Sequence, residues 1–412
     1  MRQRFLKALA PAMVAAVALS GCLAAGQQFG GDFSAPTPAL PTTNEILPET
    51  QVLAPANGQI IGRGPVRVAM LVPKSATGFG ALASENFSNA ASLALREFDE
   101  NAINIVVKDT GGTAEGAINA TREAISEGAE IILGPVFSKA VPAVASIARP
   151  AGIPVVTFSN SENVAGPSTY VFGFTPAPGI RQAIQYAGSK GRRSFAALLP
   201  NNALGTLAES AFRQAVSNVG GRIVSIARYN YSSGEPEARA REVGALAESG
   251  QIDAIFVPDA GDVAPQIIAA TKQAAPSNSN LLFIGSGQWD DPRIFRNPAL
   301  AGTIYPAPDR SGFNQFAQRY NAAFGKPPIR LASLGYDAAS LMIVLTQNFK
   351  EQRFTERNLT SPSGFKGVVD GTFRLTPSGQ VTRALAIYEV TAGGPRIIAP
   401  AAQTFSQTTF SN

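Results

Sequence analysis

Between residues 66 and 285, short continuous apolar runs alternate with longer stretches whose apolar residues recur every three or four positions. The runs are VRVAMLV (66–72), INIVVKD (103–109), EIIL (130–133) and PVVTF (154–158), then SFAALLP (194–200), RIVSIARY (222–229), DAIFVP (253–258) and LLFIG (281–285). Apolar runs this short, bounded by turn residues, fit strands buried on both faces. The intervening stretches predict helices at 81–98, near 113–127, from Ser138 onward, and at 203–219, 236–248 and 262–275. In the first of these, Phe87, Ala90, Ala91, Ala94 and Phe98 fall on one face. Strands alternating with amphipathic helices give a parallel sheet covered on both sides, and the pattern runs through twice. The expected fold class is α/β, with two doubly wound parallel-sheet lobes.

The chain does not stop when the two sheets are complete. A helix at 313–324 gathers Phe313, Phe316, Ala317, Tyr320 and Phe324 on one face, and a second helix follows at 331–349. FKGVVDGTFRLTPSGQVTRALAIYEV (365–390) then reads as short strands joined by turns. These additions must dock on existing lobes, so the chain is expected to cross back, and several crossovers make a hinge. The expected lobes are 65–174 with 308–358, and 175–307 with 359–400. Residues 401–412 are expected to be a frayed tail.

The N-terminal end has a different pattern. Arg2, Arg4 and Lys7 precede an apolar run over 8–19, and Leu19-Ser20-Gly21-Cys22 closes it. The run is too short to span a bilayer, which takes ~20 residues. It fits a secretory signal over 1–21 that ends in a lipidation site, with Cys22 carrying the lipid and the membrane as one partner. The Pro-, Thr- and Ala-rich stretch that follows buries little apolar surface, so 22–64 is expected to be an extended tether.

Composition then narrows the chemistry. The 412 residues include no histidine and a single cysteine. That excludes Ser-His-Asp and Cys-His catalysis, the usual zinc sites and an intramolecular disulfide. Removal of 1–21 takes the formal net charge from +5 to +2. No basic run with interleaved aromatics is present, so nucleic acid is not an expected partner. Gly78-Phe79-Gly80 lacks the third glycine of a dinucleotide loop, since Ala83 stands there. No enzyme activity, cofactor or metal is expected.

Two loops attract attention. IILGPVFSKA (131–140) brings Ser138 to the end of one strand, and PVVTFSN (154–160) brings Thr157, Ser159 and Asn160 to the end of the next. In doubly wound sheets, ligands sit beyond the carboxyl ends of strands, so the two loops look like walls of one pocket. Equally, Ser138 could cap its helix and Thr157 could be an ordinary strand residue.

Taken together, VAMLVPKSATGFGALASENFSNAASLALREF (68–98), ILGPVFS (132–138), IPVVTFSN (153–160), GFTP (173–176) and FKGVVDGTFRL (365–375) resemble the type I periplasmic-binding fold, in the branch of the leucine/isoleucine/valine-binding proteins. The resemblance covers about 65–400. It implies a non-catalytic binding protein in which Ser138, Thr157 and Ser159 face a ligand carboxylate. Across the cleft, Leu204 stands where such receptors show an aromatic residue. Ser286 opens the loop SGQWDD, which has no glutamate directly after its strand. An ammonium group therefore lacks an obvious partner, although Asp290 or Asp291 could substitute.

More narrowly, GSGQWDDPRIF (285–295) and FNQFAQRYNAAFGKPPIRLASLGYDAASL (313–341) are similar to the penicillin-binding-protein activator lipoproteins. That likeness implies a regulator of peptidoglycan synthesis, partnered with a peptidoglycan synthase through Gln288, Trp289 and Asp290. The alternative is a solute receptor serving an ABC permease for amino acids or similar polar molecules. Trp289 reads as an interface anchor, a lid over the cleft, or a packing residue. Leu23 after the lipidated cysteine resembles the outer-membrane sorting pattern of Gram-negative lipoproteins, so the expected location is the periplasmic side of the outer membrane.

Overall fold

Alternation along each buried strand divides its side chains between two helical layers. In β2 (Val66–Val72), Val68, Met70 and Val72 point into one core and Ala69 and Leu71 into another. The computed structural model describes residues 53–405, so the expected signal segment, Cys22 and residues 406–412 lie outside it. The first sheet runs β1 (Gln59–Ile61), β3 (Ile103–Asp109), β2, β4 (Ile131–Leu133), β5 (Val155–Thr157) and β6 (Thr169–Val171), all parallel except β1. On one face lie α1 (Phe79–Glu97), α9 (Arg310–Phe324) and α10 (Ala332–Phe349), and on the other α2 (Ala114–Ser126) and α3 (Val141–Ala148). Stacking of Phe87 on Phe158, with ring centroids 4.3 Å apart, ties α1 to the strand edge.

The second sheet runs β16 (Gly394–Ala399), β15 (Ala386–Thr391), β11 (Ile304–Ala307), β10 (Leu282–Gly285), β9 (Ala254–Val257), β7 (Ser194–Pro200) and β8 (Arg222–Tyr229). Its β7–β11 strands are parallel, and β15 and β16 close the edge antiparallel. Phe195, Ala197 and Leu199 pack against α4 (Pro176–Ser189) and α5 (Ala203–Asn218). Ala196 and Leu198 pack against α6 (Glu235–Glu248) and α7 (Val263–Ala274). The one-turn helix α8 (Pro292–Phe295) follows β10.

The chain passes between lobes three times: from β6 to α4, from β11 to α9, and from the small sheet to β15. That small sheet, β12 (Phe365–Lys366), β13 (Thr372–Leu375) and β14 (Val381–Arg383), is antiparallel. Its Phe373, Leu375 and Val381 join the core of the first lobe, which corrects the expectation that all of 359–400 belongs to the second. The reason is chemical: these apolar side chains find Phe172 beneath them, and Phe373 meets it edge-on at 5.0 Å.

The expected tether boundary at 64 also moves. Residues 53–61 are strapped to the first lobe by β1 and by a buried charge cluster. Lys108 Nζ donates to Asn57 O at 2.5 Å and to Glu127 Oε1 at 2.7 Å, and Asn57 N–H donates to the same Glu127 oxygen at 2.8 Å. Arg67 Nη1 reaches both Ala54 O and Glu127 O at 2.6 Å. Helix starts use side-chain caps where the sequence supplies them: the Thr113 hydroxyl accepts the Gly116 N–H at 3.0 Å. Thr113→Ala is expected to cost about 1 kcal/mol of stability by denaturant titration.

Candidate functional site

A cavity of about 290 Å³ lies where the crossovers meet, near the lower end of ligand pockets, roughly 300–1,000 Å³. Each wall comes from a strand end or a crossover. From the first lobe come Asn160 after β5, Phe174 and Thr175 after β6, and Arg330 just before α10. From the second come Pro176, Pro178 and Gly179 in the first turn of α4, and Ser286, Gly287, Gln288, Asp290 and Asp291 after β10. Pro306 and Pro308 at the end of β11, with Val381, Arg383 and Leu385 at the last crossover, complete it. Much of this wall is proline and other apolar side chain, so the charged groups decide what can bind.

Prolines at the first and third positions of α4 remove backbone donors that a helix start would otherwise present. Ala177 N–H, the donor between them, is taken by Glu162 Oε1 at 3.3 Å. The strongest donors in the wall are therefore guanidiniums. Arg330 Nη2 pairs with Asp370 Oδ1 at 2.7 Å and its Nη1 donates to Ser333 Oγ at 2.8 Å. Its Cζ lies 4.7 Å from the centroid of the Phe174 ring and 4.6 Å from that of Phe313. Arg383 is 5% exposed. Its Nη2 donates to Phe172 O at 2.5 Å, and its guanidinium sits 4.8 and 5.1 Å from the Phe172 and Phe174 rings. Arg383 Nε and Nη1 have no hydrogen-bond partner among the described residues. Burial lowers the pKa of Arg383, while Asp370 and Asp337 hold it up.

Behind the arginines, Asp337 is fully enclosed. Its Oδ1 accepts the N–H groups of Val368 and Val369 at 2.9 and 3.0 Å, and its Oδ2 accepts that of Asp370 at 3.0 Å. Burial, and then the charge of Asp370, push the Asp337 carboxyl up to about 7. On the opposite wall, Asp290 pairs with Arg310 Nη1 at 2.9 Å. Burial raises its pKa, and the nearby Arg310 and Arg330 oppose the rise. Asp291 is held by Arg293 at 2.8 Å, which lowers its pKa.

Five of the residues anticipated from sequence stand in this wall: Asn160, Ser286, Gln288, Asp290 and Asp291. Ser138, Thr157, Ser159 and Leu204 do not. Thr157 Oγ1 donates to Pro135 O at 2.7 Å and accepts Ser159 N–H at 3.1 Å, and Ser159 Oγ accepts Ser161 N–H at 3.1 Å. These hydroxyls hold the turn after β5 and are spent locally. Ser138 opens a 3-10 turn, Ser138–Ala140, with no side-chain cap, and Leu204 lies in the first turn of α5.

The anchor-or-lid reading of Trp289 is corrected. Its side chain is fully buried in the second lobe, and Nε1–H donates to Asp259 O at 2.6 Å. The indole covers Gly285 so closely that a Cβ there would lie 2.1 Å from the ring. Ser286 Oγ donates to Pro258 O at 2.6 Å and accepts Gln288 N–H at 3.2 Å, fixing the loop from the other side. Arg330, Arg383 and Phe174 went unnoticed in the sequence. Arg383 did leave a signal: it occupies the inward phase of β14, two residues after buried Val381.

With this geometry in hand, comparison with known proteins is informative. A sequence profile of the family described as periplasmic binding protein matches residues 65–395. An uncharacterized protein of Rickettsia prowazekii is 23% identical over 222 residues, 53% of this chain and 55% of that protein. The chain thus spans about half the length of that curated relative. Among solved structures, a candidate branched-chain amino acid ABC transporter protein from Rhodospirillum rubrum is similar with a TM-score of 0.71. It is 21% identical, and the match covers 81% of this chain and 99% of that one. A branched chain amino acid ABC transporter periplasmic ligand-binding protein from Burkholderia xenovorans gives a TM-score of 0.65 at 18% identity, covering 83% and 95%. At these identities, the structural likeness speaks for the fold.

Proposed function

Because the chain belongs to the periplasmic binding protein family, we propose that it is the solute receptor of an ABC importer, closing its two lobes on a small molecule. The observation that carries this reading is the cavity at the crossovers, walled by both lobes and holding Arg330, Arg383 and Asp290. A ligand touching both walls would favour the closed arrangement by its differential contacts, which is what couples binding to a shape that a permease can sense. The solved relatives described as branched-chain amino acid transport proteins support the receptor assignment.

The activator reading has less behind it. It came from the likeness of 285–295 and 313–341, with the lipidation signal and the missing ammonium partner, and the Trp289, Phe316 and Tyr320 of those stretches are interior, where they offer nothing to a partner. In the receptor reading, the lipid on Cys22 would hold the protein at the periplasmic face of a membrane. A permease lies in the inner membrane, which pulls against the outer-membrane sorting inferred from Leu23. Membrane fractionation separates the two, and Cys22→Ser is expected to release the protein to the soluble fraction.

The function is tested by scattering and native mass spectrometry on the full chain. A bound small molecule in the purified protein, or a fall in radius of gyration when a metabolite panel is added, is the expected result. A protein that binds nothing from the panel, yet raises the rate of a peptidoglycan synthase, would reverse the choice.

A further inference from the structure

We propose that the cavity takes a small monocarboxylate with a compact apolar body, its carboxylate held by Arg330 and Arg383, and does not take a zwitterionic amino acid. The inference rests on the receptor reading and names the ligand class of the same site. The first support is a buried cation with unmade bonds. Arg383 lines the cavity, is almost wholly enclosed, and keeps Nε and Nη1 without hydrogen-bond partners. Ring faces, one carbonyl and the nearby charges of Asp370 and Asp337 surround it, yet none of them accepts from Nε or Nη1, so that edge of the guanidinium is left for an acceptor. An unsatisfied buried donor is costly, and a carboxylate relieves it with charge-assisted bonds. Arg330, with its side chain 31% exposed, also lies against the Phe174 ring and supplies a second cation.

The second support is the absence of a free anion for an ammonium group. The carboxylates in the cavity wall are Asp290 and Asp291. Asp290 is bound by Arg310 and also feels Arg330, and Asp291 is bound by Arg293. An ammonium brought here would have to displace a guanidinium or stay unpaired, and a buried unpaired charge is strongly disfavoured. The third support is the rest of the wall. Pro176, Pro178, Pro306 and Pro308 present apolar rings and no N–H, so the remainder of the ligand is apolar.

The test is calorimetry on the full chain with 4-methylpentanoate, benzoate, leucine and 4-methylpentanamide. The first three share a carboxylate, and only leucine adds an ammonium group. The two simple acids are expected to bind, with leucine and the amide at least tenfold weaker. Arg330→Gln is expected to weaken the acids at least tenfold. Asp290→Asn removes a negative charge from the opposite wall and should tighten them, and it keeps the test open if Arg330→Gln misfolds. If leucine binds and the acids do not, or if Asp290→Asn weakens the acids, the ligand class is wrong and the receptor reading stands. If the acids, a full amino-acid panel and neutral amides all give no heat, both fall.

Discussion

Replacing Trp289 with alanine is expected to cost about 3–5 kcal/mol of stability and to abolish ligand binding together. The side chain is fully buried among the second lobe's core residues, and its indole lies directly over Gly285 of β10. Truncation leaves a cavity that the backbone cannot easily close, because β10 is fixed by β9 and β11 on either side. It also strips the Asp259 carbonyl of its 2.6 Å donor, adding a penalty of about 1–3 kcal/mol if water cannot reach it. The loop from Ser286 to Asp290 then loses the anchor that shapes one wall of the cavity. Trp289→Phe isolates the hydrogen bond from most of the packing and should be markedly milder. Denaturant titration measures the cost. A loss below 1 kcal/mol for the alanine variant would contradict the packing described.

Stability is expected to fall by about 2–3 kcal/mol between pH 5 and pH 8, with the buried carboxyl of Asp337 as the cause. The folded group is pushed up to about 7 by burial and by Asp370, against an ordinary value of 3.8. A folded state that binds the proton more tightly than the unfolded chain gains its full advantage below the unfolded value and loses it as pH rises through 7. Asp109, Glu209 and Asp291 are shifted the other way, so their contributions fade as pH falls through the acid range. Maximum stability is therefore expected between about pH 5 and 6. Asp370→Asn keeps an oxygen for Arg330 and removes the neighbouring charge. Thermal midpoints of that variant should vary less over pH 5–8, with burial still holding the Asp337 carboxyl up. An unchanged slope would mean that the Asp370 charge does not act on Asp337. The same charge balance predicts that a bound carboxylate favours the protonated form of Asp337, so acids should bind more weakly at pH 8 than at pH 6.

The long apolar runs made the two sheets legible before any coordinates. VRVAMLV and SFAALLP have no polar phase, and strands buried on both faces need none. The strands that escaped notice were β1, β6, β11 and β16, and the first three are only three or four residues long and set by their neighbours rather than by their own pattern. The site was harder. Loops ending in Thr157 and Ser159 looked like binding walls because hydroxyls at strand ends serve turns and ligands equally well, and here the turn took them. Arg330 and Arg383 lie far apart in sequence from Asn160 and Ser286, and only the crossovers bring them together. A charged residue at an apolar phase of a short strand, as Arg383 is, was the readable hint.

The strap over residues 53–61 decides how a pull on the chain is shared. Tension arriving from the N-terminal side is met by the three backbone pairs between β1 and β3 and by the Lys108–Glu127 clamp, all within the first lobe. Little of that load crosses the three connections to the second lobe. If the lipid proposed at Cys22 moors the chain, the first lobe takes the pull, and the second is left free to close on the ligand we propose.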